Sequence, residues 1–187
     1  MNPFDQLAAE HGLHDVRAVS PQGLPERYLY STDMLYSYAF GRWWGDEEVA
    51  GSVVWVMLNP ATGDTDGKKR PTLERAIARS KQWNADGLVV VNLFAYRGTD
   101  PTVLRSAADP VGPANDRTLE LLTNRALRTV AAWGSKGSLR QRSAEVRPLL
   151  SDPLCLGTTK RGEPRHPLYV SQATPAILLN PVKGRSQ

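Results

Sequence analysis

Hydrophobic residues along the chain fall into short dense runs separated by polar stretches of helical period. Ser52–Leu58 (SVVWVML) and Leu88–Phe94 (LVVVNLF) are near-continuous apolar runs, the pattern of strands buried on both faces of a sheet. Between them, Pro71-Thr72 opens LERAIARSKQW, where Leu73, Ala76, Ile77, Ser80 and Trp83 recur at helical spacing. A loop rich in Pro, Asp and Gly (TDPTVLRSAADPVGPAND) then leads to a helix over about Asp116–Ala126. The strand Leu127–Trp133 (LRTVAAW) follows and ends at Gly134. Next come a helix near Leu139–Leu150 and a short strand, at either Leu154–Gly157 or Leu168–Val170. This alternation predicts an α/β fold, a three-layer αβα sandwich around a mostly parallel central sheet.

The first part of the chain has a different texture. Residues 1–26 are polar with Pro and Gly (SPQGLPER) and read as an N-terminal extension, a short helix followed by a loop. Arg27–Trp44 is rich in Tyr, Phe and Trp and broken by Ser-Thr-Asp, so residues 27–50 are expected to form antiparallel edge strands. No repeat or composition shift divides the chain, and one domain over 1–187 is expected. In such sheets ligands sit beyond the carboxyl ends of the strands. The loops starting at Asn59, Asn92, Gly134 and Gly157 are therefore where chemistry should be sought.

Composition narrows the class. A chain of 187 residues can bury roughly 70% of its unfolded surface, and five Trp with many Val and Leu runs argue against disorder. No apolar run approaches the roughly 20 residues of a membrane span. MNPFDQLAAEHG lacks the basic start and apolar core of a secretory signal, so a cytoplasmic protein with no membrane partner is expected. The single Cys155 excludes a disulfide framework and, with three histidines, argues against a Cys/His zinc site; its apolar LCLG setting reads as a buried, inert thiol. There is no GxGxxG, Walker, GxSxG or HExxH sequence, and neither a cofactor nor a metal is expected.

Polar residues at strand ends carry the candidate chemistry. Asn59 is the first polar group after a buried strand that Pro60 stops; its amide can hold a water or a substrate edge, although Asn-Pro also begins ordinary turns. Asn92 interrupts an apolar strand, where an amide without partners costs about 1–3 kcal/mol. It can be satisfied by backbone, or it can read a planar ligand. Trp133-Gly134 serves packing and a tight turn. His166 sits between Arg165 and Pro167 and gains weight only from its company. The net charge of +4 says less than its placement. Lys68, Lys69 and Arg70 follow the first strand, Lys136, Arg140 and Arg142 the third, and Lys160, Arg161 and Arg165 lead to His166. Together they outline a positive rim suited to phosphates, with the Pro71-Thr72 helix start adding free N–H groups, or simply a solvated surface.

Five stretches recur together in an uncharacterised bacterial conserved-domain family that the chain from about Arg27 to Ser171 resembles. They are LNPAT (58–62), VVVNLFA (89–95), DPVGPAND (109–116), AWG (132–134) and CLGTTKRGEPRHPLY (155–169). A deeper resemblance is to the uracil-DNA glycosylase superfamily. Met57-Leu58-Asn59-Pro60-Ala61 is similar to its G-I-N-P-G motif, Val91-Asn92-Leu93 to its base-reading strand end, and Ala132-Trp133-Gly134-Ser135 to its L-W-G-S turn. His166-Pro167-Leu168-Tyr169-Val170-Ser171 is similar to H-P-S-P-L-S. Ala61 departs from the glycine of the first motif, and Leu168-Tyr169 from the Ser-Pro of the last.

The resemblance implies a uracil-DNA-glycosylase-like fold and a monomeric DNA glycosylase that flips a modified or non-standard pyrimidine and hydrolyses its N-glycosidic bond, in base-excision repair or antiphage defence. It implies Asn59 and His166 as catalytic residues and Asn92, Pro60 and Phe94 around the base. Asp64 or Asp66 would assist the water or touch the sugar. Lys68, Lys69, Arg70, Lys136, Arg165, Leu168, Tyr169, Val170 and Ser171 would meet DNA, the segment Leu168–Val170 as a wedge. Two other classes remain open: an enzyme acting on free nucleosides or nucleotides, and a non-catalytic reader of modified nucleic acid.

Overall fold

The computed structural model describes residues 1–46, 48–60, 70–98 and 103–179. The two apolar runs form adjacent parallel strands, β4 (Ser52–Met57) and β5 (Gly87–Asn92), as patterned. Around them lie β1 (His14–Val19), β2 (Pro25–Tyr30), β3 (Ser37–Trp43), β6 (Arg128–Ala131), β7 (Leu154–Cys155) and β8 (Ile177–Leu178). The described residues form one eight-stranded mixed sheet of order β1-β2-β3-β5-β4-β6-β7-β8. Only β5-β4-β6-β7 run parallel, and the other pairings are antiparallel. The expectation of a mostly parallel sheet is thereby corrected. The aromatic β2–β3 hairpin docks antiparallel on β5, and β8 turns back along β7.

Five α-helices flank the sheet among the described residues: α1 (Pro3–His11), α2 (Pro71–Gln82), α3 (Val103–Ser106), α4 (Asn115–Arg125) and α5 (Arg142–Val146). β4 shows why both sheet faces must be covered. Val54 and Val56 point into a core cluster with Phe4 and Leu7 of α1 and Leu119 and Leu122 of α4. Val53, Trp55 and Met57 point the other way, into a cluster with Ala76 of α2 and, at its edge, Leu73 and Ile77. The period-2 alternation of a strand thus feeds two cores.

Three further expectations are corrected. Residues 1–26 are built into the fold rather than appended to it: Phe4 and Leu7 are fully buried and β1 is the sheet's edge strand. β2 and β3 lie inside the sheet, although antiparallel as expected. The helix expected over 139–150 is broken into a 3-10 stretch at Ser135–Gln141, the single turn of α5 and a 3-10 turn at Arg147–Leu149, because Arg140 and Gln141 have positive φ (51° and 60°). Of the two alternatives for the last parallel strand, Leu154–Cys155 pairs with β6, and Pro167–Tyr169 is a 3-10 turn.

Candidate functional site

The carboxyl ends of β4, β5 and β6 open into a cavity of about 640 Å³. Asn59 and Pro60 line it from the β4 end, Val90 and Asn92 from one face of β5, and Trp133 to Lys136 from the β6 end. Ser37, Ala39 and Phe40 of β3 form a further wall, Arg70 to Leu73 at the start of α2 another, and His166 and Tyr169 close it from the C-terminal segment. A volume of this size fits a drug-sized molecule, well beyond a bare pyrimidine ring.

Asn59 and Asn92 stand side by side because the two strands stay paired past their ends. Met57 is in register with Asn92, the Leu93 N–H donates to the Met57 carbonyl at 2.8 Å and the Phe94 N–H to the Leu58 carbonyl at 3.0 Å. The Asn59 amide nitrogen donates to the Gly98 carbonyl at 3.1 Å. That bond fixes the carboxamide's orientation and leaves its oxygen as the acceptor available to a ligand. Asn92 is 5% exposed, and its carboxamide has no hydrogen-bond partner among the described residues although it lines the cavity. A buried amide without partners is costly unless something else satisfies it.

His166 is placed by its neighbours on both sides. The Gly134 N–H donates to the Pro164 carbonyl at 2.9 Å, and Gly134 has φ +75°; a Cβ there would lie 3.4 Å from the His166 Cβ. A side chain at 134 would therefore be strained in backbone, with its Cβ in contact with that of His166. Upstream, buried Glu163 accepts from the Trp133 indole N–H (2.7 Å) and the Ser143 hydroxyl (2.8 Å), with the Arg147 guanidinium 3.8 Å away. Downstream, Arg75 donates to the Val170 carbonyl, and buried Arg79 to those of Ser171 and Thr174. The His166 ring packs on Tyr169 at 5.7 Å between centroids. Its Nδ1 accepts, at 3.4 Å, from the Leu168 N–H, and burial pushes its pKa below the usual value. Both facts favour a neutral ring with its proton on Nε2.

Of the residues expected to form the site, the structure brings together Asn59, Pro60, Asn92, Arg70, Lys136, His166 and Tyr169. Phe94 is a correction: it is fully buried in the α1/α4 core and does not line the cavity, because β5 ends at Asn92 and the chain beyond it no longer alternates, so Leu93 and Phe94 both join that core. Val170 is another, since it is buried in the α2 core and cannot serve as a wedge. Leu168 is half-buried, whereas Tyr169 is 81% exposed. Arg165 is exposed and donates to the Thr158 carbonyl, and the Ser171 hydroxyl accepts from the Ala173 N–H; neither lines the cavity. Asp64, Asp66, Lys68 and Lys69 lie outside the described residues.

The basic rim is thinner than its sequence suggests. Arg140 donates to the carbonyls of Arg105 and Ala107, and Arg142 is buried against the Leu93 carbonyl and Asp116. Sequence reading missed Asn115, Glu163, Arg75 and Arg79, which hold the site without lining it. Asn115 lay within a noted stretch, and a polar residue opening a helix after a Gly-Pro turn was the one available signal. Among the described residues no three His, Cys, Asp or Glu side chains cluster as metal ligands. No helix among them is long and apolar enough to cross a membrane.

The chain belongs to the family described as "Protein of unknown function (DUF1643)", which it matches over residues 38–168. That span runs from β3 to the 3-10 turn after His166 and so takes in every wall of the cavity except Ser37 and Tyr169. No curated protein and no solved structure matches the chain.

Proposed function

We propose that the chain is a DNA glycosylase of uracil-DNA-glycosylase-like fold, which flips a modified or non-standard pyrimidine out of DNA and hydrolyses its N-glycosidic bond to leave an abasic site. The observation that carries this reading is the meeting of Asn59, Asn92 and His166, from three separate strand ends or loops, in one cavity where Asn92 is 5% exposed and its carboxamide has no partner among the described residues. The likeness of the segments around Asn59, Asn92, Trp133 and His166 to the motifs of that superfamily adds to it.

In the reaction the bond between the sugar C1′ and the base nitrogen breaks, and its electron pair leaves with the base. His166 donates from Nε2 to the base carbonyl as charge develops there, a kind of donor typically worth about 10²–10³ in rate. The sugar becomes cationic, and a water held by the Asn59 oxygen adds to C1′ and releases its proton to solvent. An amide cannot take that proton, but a cationic sugar needs little activation of its nucleophile. Asn92 offers both a donor and an acceptor to the base edge. Tyr169, exposed beside His166, is the aromatic placed to fill the gap left in the stack.

The test is an abasic-site assay on oligonucleotides carrying uracil, a mismatched thymine, 5-hydroxymethylcytosine or its glucosylated form, followed by alkali. Strand breakage on one substrate, absent with Asn59→Ala, is the expected result. No breakage on any of them, with binding that does not weaken as salt rises, would overturn the reading in favour of an enzyme of free nucleosides.

A further inference from the structure

The β3 wall of the cavity carries a second polar group that the reaction above leaves unused. Ser37 lines the cavity and is 6% exposed, and its hydroxyl has no hydrogen-bond partner among the described residues. Its N–H donates to the Ala95 carbonyl at 2.8 Å, and Ala39 stands opposite Val91 in the antiparallel β3–β5 register. Ser37 therefore lies across the end of β5, one strand out from Asn92. Neither the Ser37 hydroxyl nor the Asn92 carboxamide is among the sealed, unpaired polar atoms of the described core, so each keeps an opening, and the opening both residues share is the cavity. Two such buried groups, from two different strands, are costly unless something in the cavity satisfies them.

The wall around Ser37 is fixed in advance. The β2–β3 register sets Tyr28 opposite Phe40 and Glu26 opposite Arg42. The Phe40 ring packs on Tyr28 at 4.9 Å between centroids, and the Tyr28 hydroxyl donates to the buried Glu26 carboxylate, which also pairs with Arg42. Ser37 and Ala39, both small, leave room in front of this backing. Adjacent strands lie about 4.8 Å apart, farther than neighbouring polar atoms on the edge of a pyrimidine. A base held by Asn92 along that edge thus meets the Ser37 hydroxyl only through a group attached beyond the ring.

We infer that Ser37 is a specificity-determining residue, whose side chain hydrogen-bonds a hydroxyl-bearing substituent on the pyrimidine that Asn92 holds. The inference deepens the glycosylase reading and rests on it for the base being carried by DNA. The base of a free nucleoside has the same chemistry and is separated by the experiment. A serine hydroxyl both donates and accepts, so it matches a partner hydroxyl in either sense. A site built to bond a hydroxyl rejects the analogue that lacks it, because its own buried group is then left unpaired. A substituted base is also in keeping with a cavity larger than a bare ring.

The test measures binding of duplexes with a central 2′-fluoro nucleotide, whose fluorine disfavours the cationic sugar and so keeps the base attached. Thymine is compared with 5-hydroxymethyluracil, and 5-methylcytosine with 5-hydroxymethylcytosine, pairs that differ by one hydroxyl. In one pair the wild-type protein is expected to bind the hydroxyl-bearing base at least tenfold more tightly. Ser37→Ala removes a hydroxyl that bonds to no described residue, so the melting temperature should stay at the wild-type value while that ratio falls to within about twofold of one. A merely structural Ser37 would weaken both members of the pair alike and keep the ratio. The same four bases as free 2′-deoxynucleosides form a second arm, read by thermal shift; a preference there that Ser37→Ala abolishes, with none in the duplexes, supports the role of Ser37 and assigns it to free nucleosides. The role is overturned if neither arm shows a preference, or if the preference survives in Ser37→Ala. Base excision on the assay oligonucleotides decides the glycosylase reading separately: excision without a preference removes the Ser37 role alone, and a preference that depends on Ser37 without excision on any base removes the glycosylase alone.

Discussion

The Asn115 amide nitrogen, at the first turn of α4, donates to the main-chain carbonyls of both Asn92 (3.0 Å) and Leu93 (2.9 Å). β5 ends at Asn92, so these carbonyls have left the sheet's regular pairing. A fully buried side chain thereby replaces a strand partner and holds the peptide that turns Asn92 into the cavity. The Arg142 Nε adds a third donor, to the Leu93 carbonyl at 2.9 Å. Asn115→Ala is expected to lower stability by about 1–3 kcal/mol, the cost of taking the side-chain donor from the Asn92 carbonyl while Leu93 keeps Arg142, read from the urea midpoint. Ligand affinity should fall further than stability does. Unchanged affinity in a folded Asn115→Ala protein would show that Asn92 is held by β5 alone.

Glu163 has the corresponding role for His166. Its carboxylate gathers Trp133, Ser143 and Arg147 beneath the turn that carries the imidazole. Removing it orphans the indole N–H and takes a buried carboxylate from beside the Arg147 guanidinium. Glu163→Ala is expected to cost roughly 3 kcal/mol, whereas Glu163→Gln, which keeps the shape and one acceptor, should lose about half as much. Equal melting temperatures for the two variants would contradict this account.

What could be read in advance follows a physical division. β4, α2, β5, α4 and β6 announced themselves because each buries a contiguous or periodic apolar set, a local property of the chain. β1 did not, because His14–Val19 carries Asp15 and Arg17 and its burial alternates weakly at the sheet's edge. The place of the β2–β3 hairpin inside the sheet depends on which strands dock on either side of it, which no local pattern records. The cavity-lining amides were legible for a similar reason: Asn59 and Asn92 are polar exceptions within apolar runs. Glu163 and Arg79 were not, since a charged residue reads as solvated until its partners are known. Those partners lie 30 residues away at Trp133 and up to 95 away at Thr174.

Asn59→Ala and His166→Ala are each expected to cut base excision at least a hundredfold, His166→Ala by loss of one oriented donor at developing charge and Asn59→Ala by loss of the acceptor that holds the water. Both side chains are half-buried at the cavity and make few protein bonds, so circular dichroism and melting temperature should stay close to wild type. A fully active double variant would remove these residues from the chemistry.

Tyr169 separates binding from stability. At 81% exposed, with its ring against His166, it contributes little to the core, and Tyr169→Ala should shift the melting temperature by less than its neighbour Val170→Ala. Affinity for an abasic-site duplex should nonetheless fall several-fold, since a base–aromatic contact is worth about 1–3 kcal/mol. Tyr169→Phe should keep most of it. A Tyr169→Ala protein that binds the duplex normally would leave the wedge role empty.

The state of His166 makes the last prediction one of pH. Burial disfavours the imidazolium, so the folded pKa lies below the ordinary 6.5. As pH falls, the unfolded chain therefore takes up this proton first. The group's full contribution to stability is present above 6.5, begins to be lost as the pH drops through that value, and is gone once the pH is below the folded pKa. Protonating Nδ1 also sets an N–H against the Leu168 N–H that now donates to it, which loosens the 3-10 turn carrying Tyr169. Excision under single-turnover conditions should thus stay level from pH 8 down through 6.5 and decline only below it. The His166 imidazole, followed by its carbon-bound proton resonances in the magnetic resonance spectrum, should titrate in the same range, below 6.5. A titration midpoint at or above 6.5, or an imidazolium at neutral pH, would mean that a negative charge reaches the ring and that His166 works as a cation rather than as a neutral donor.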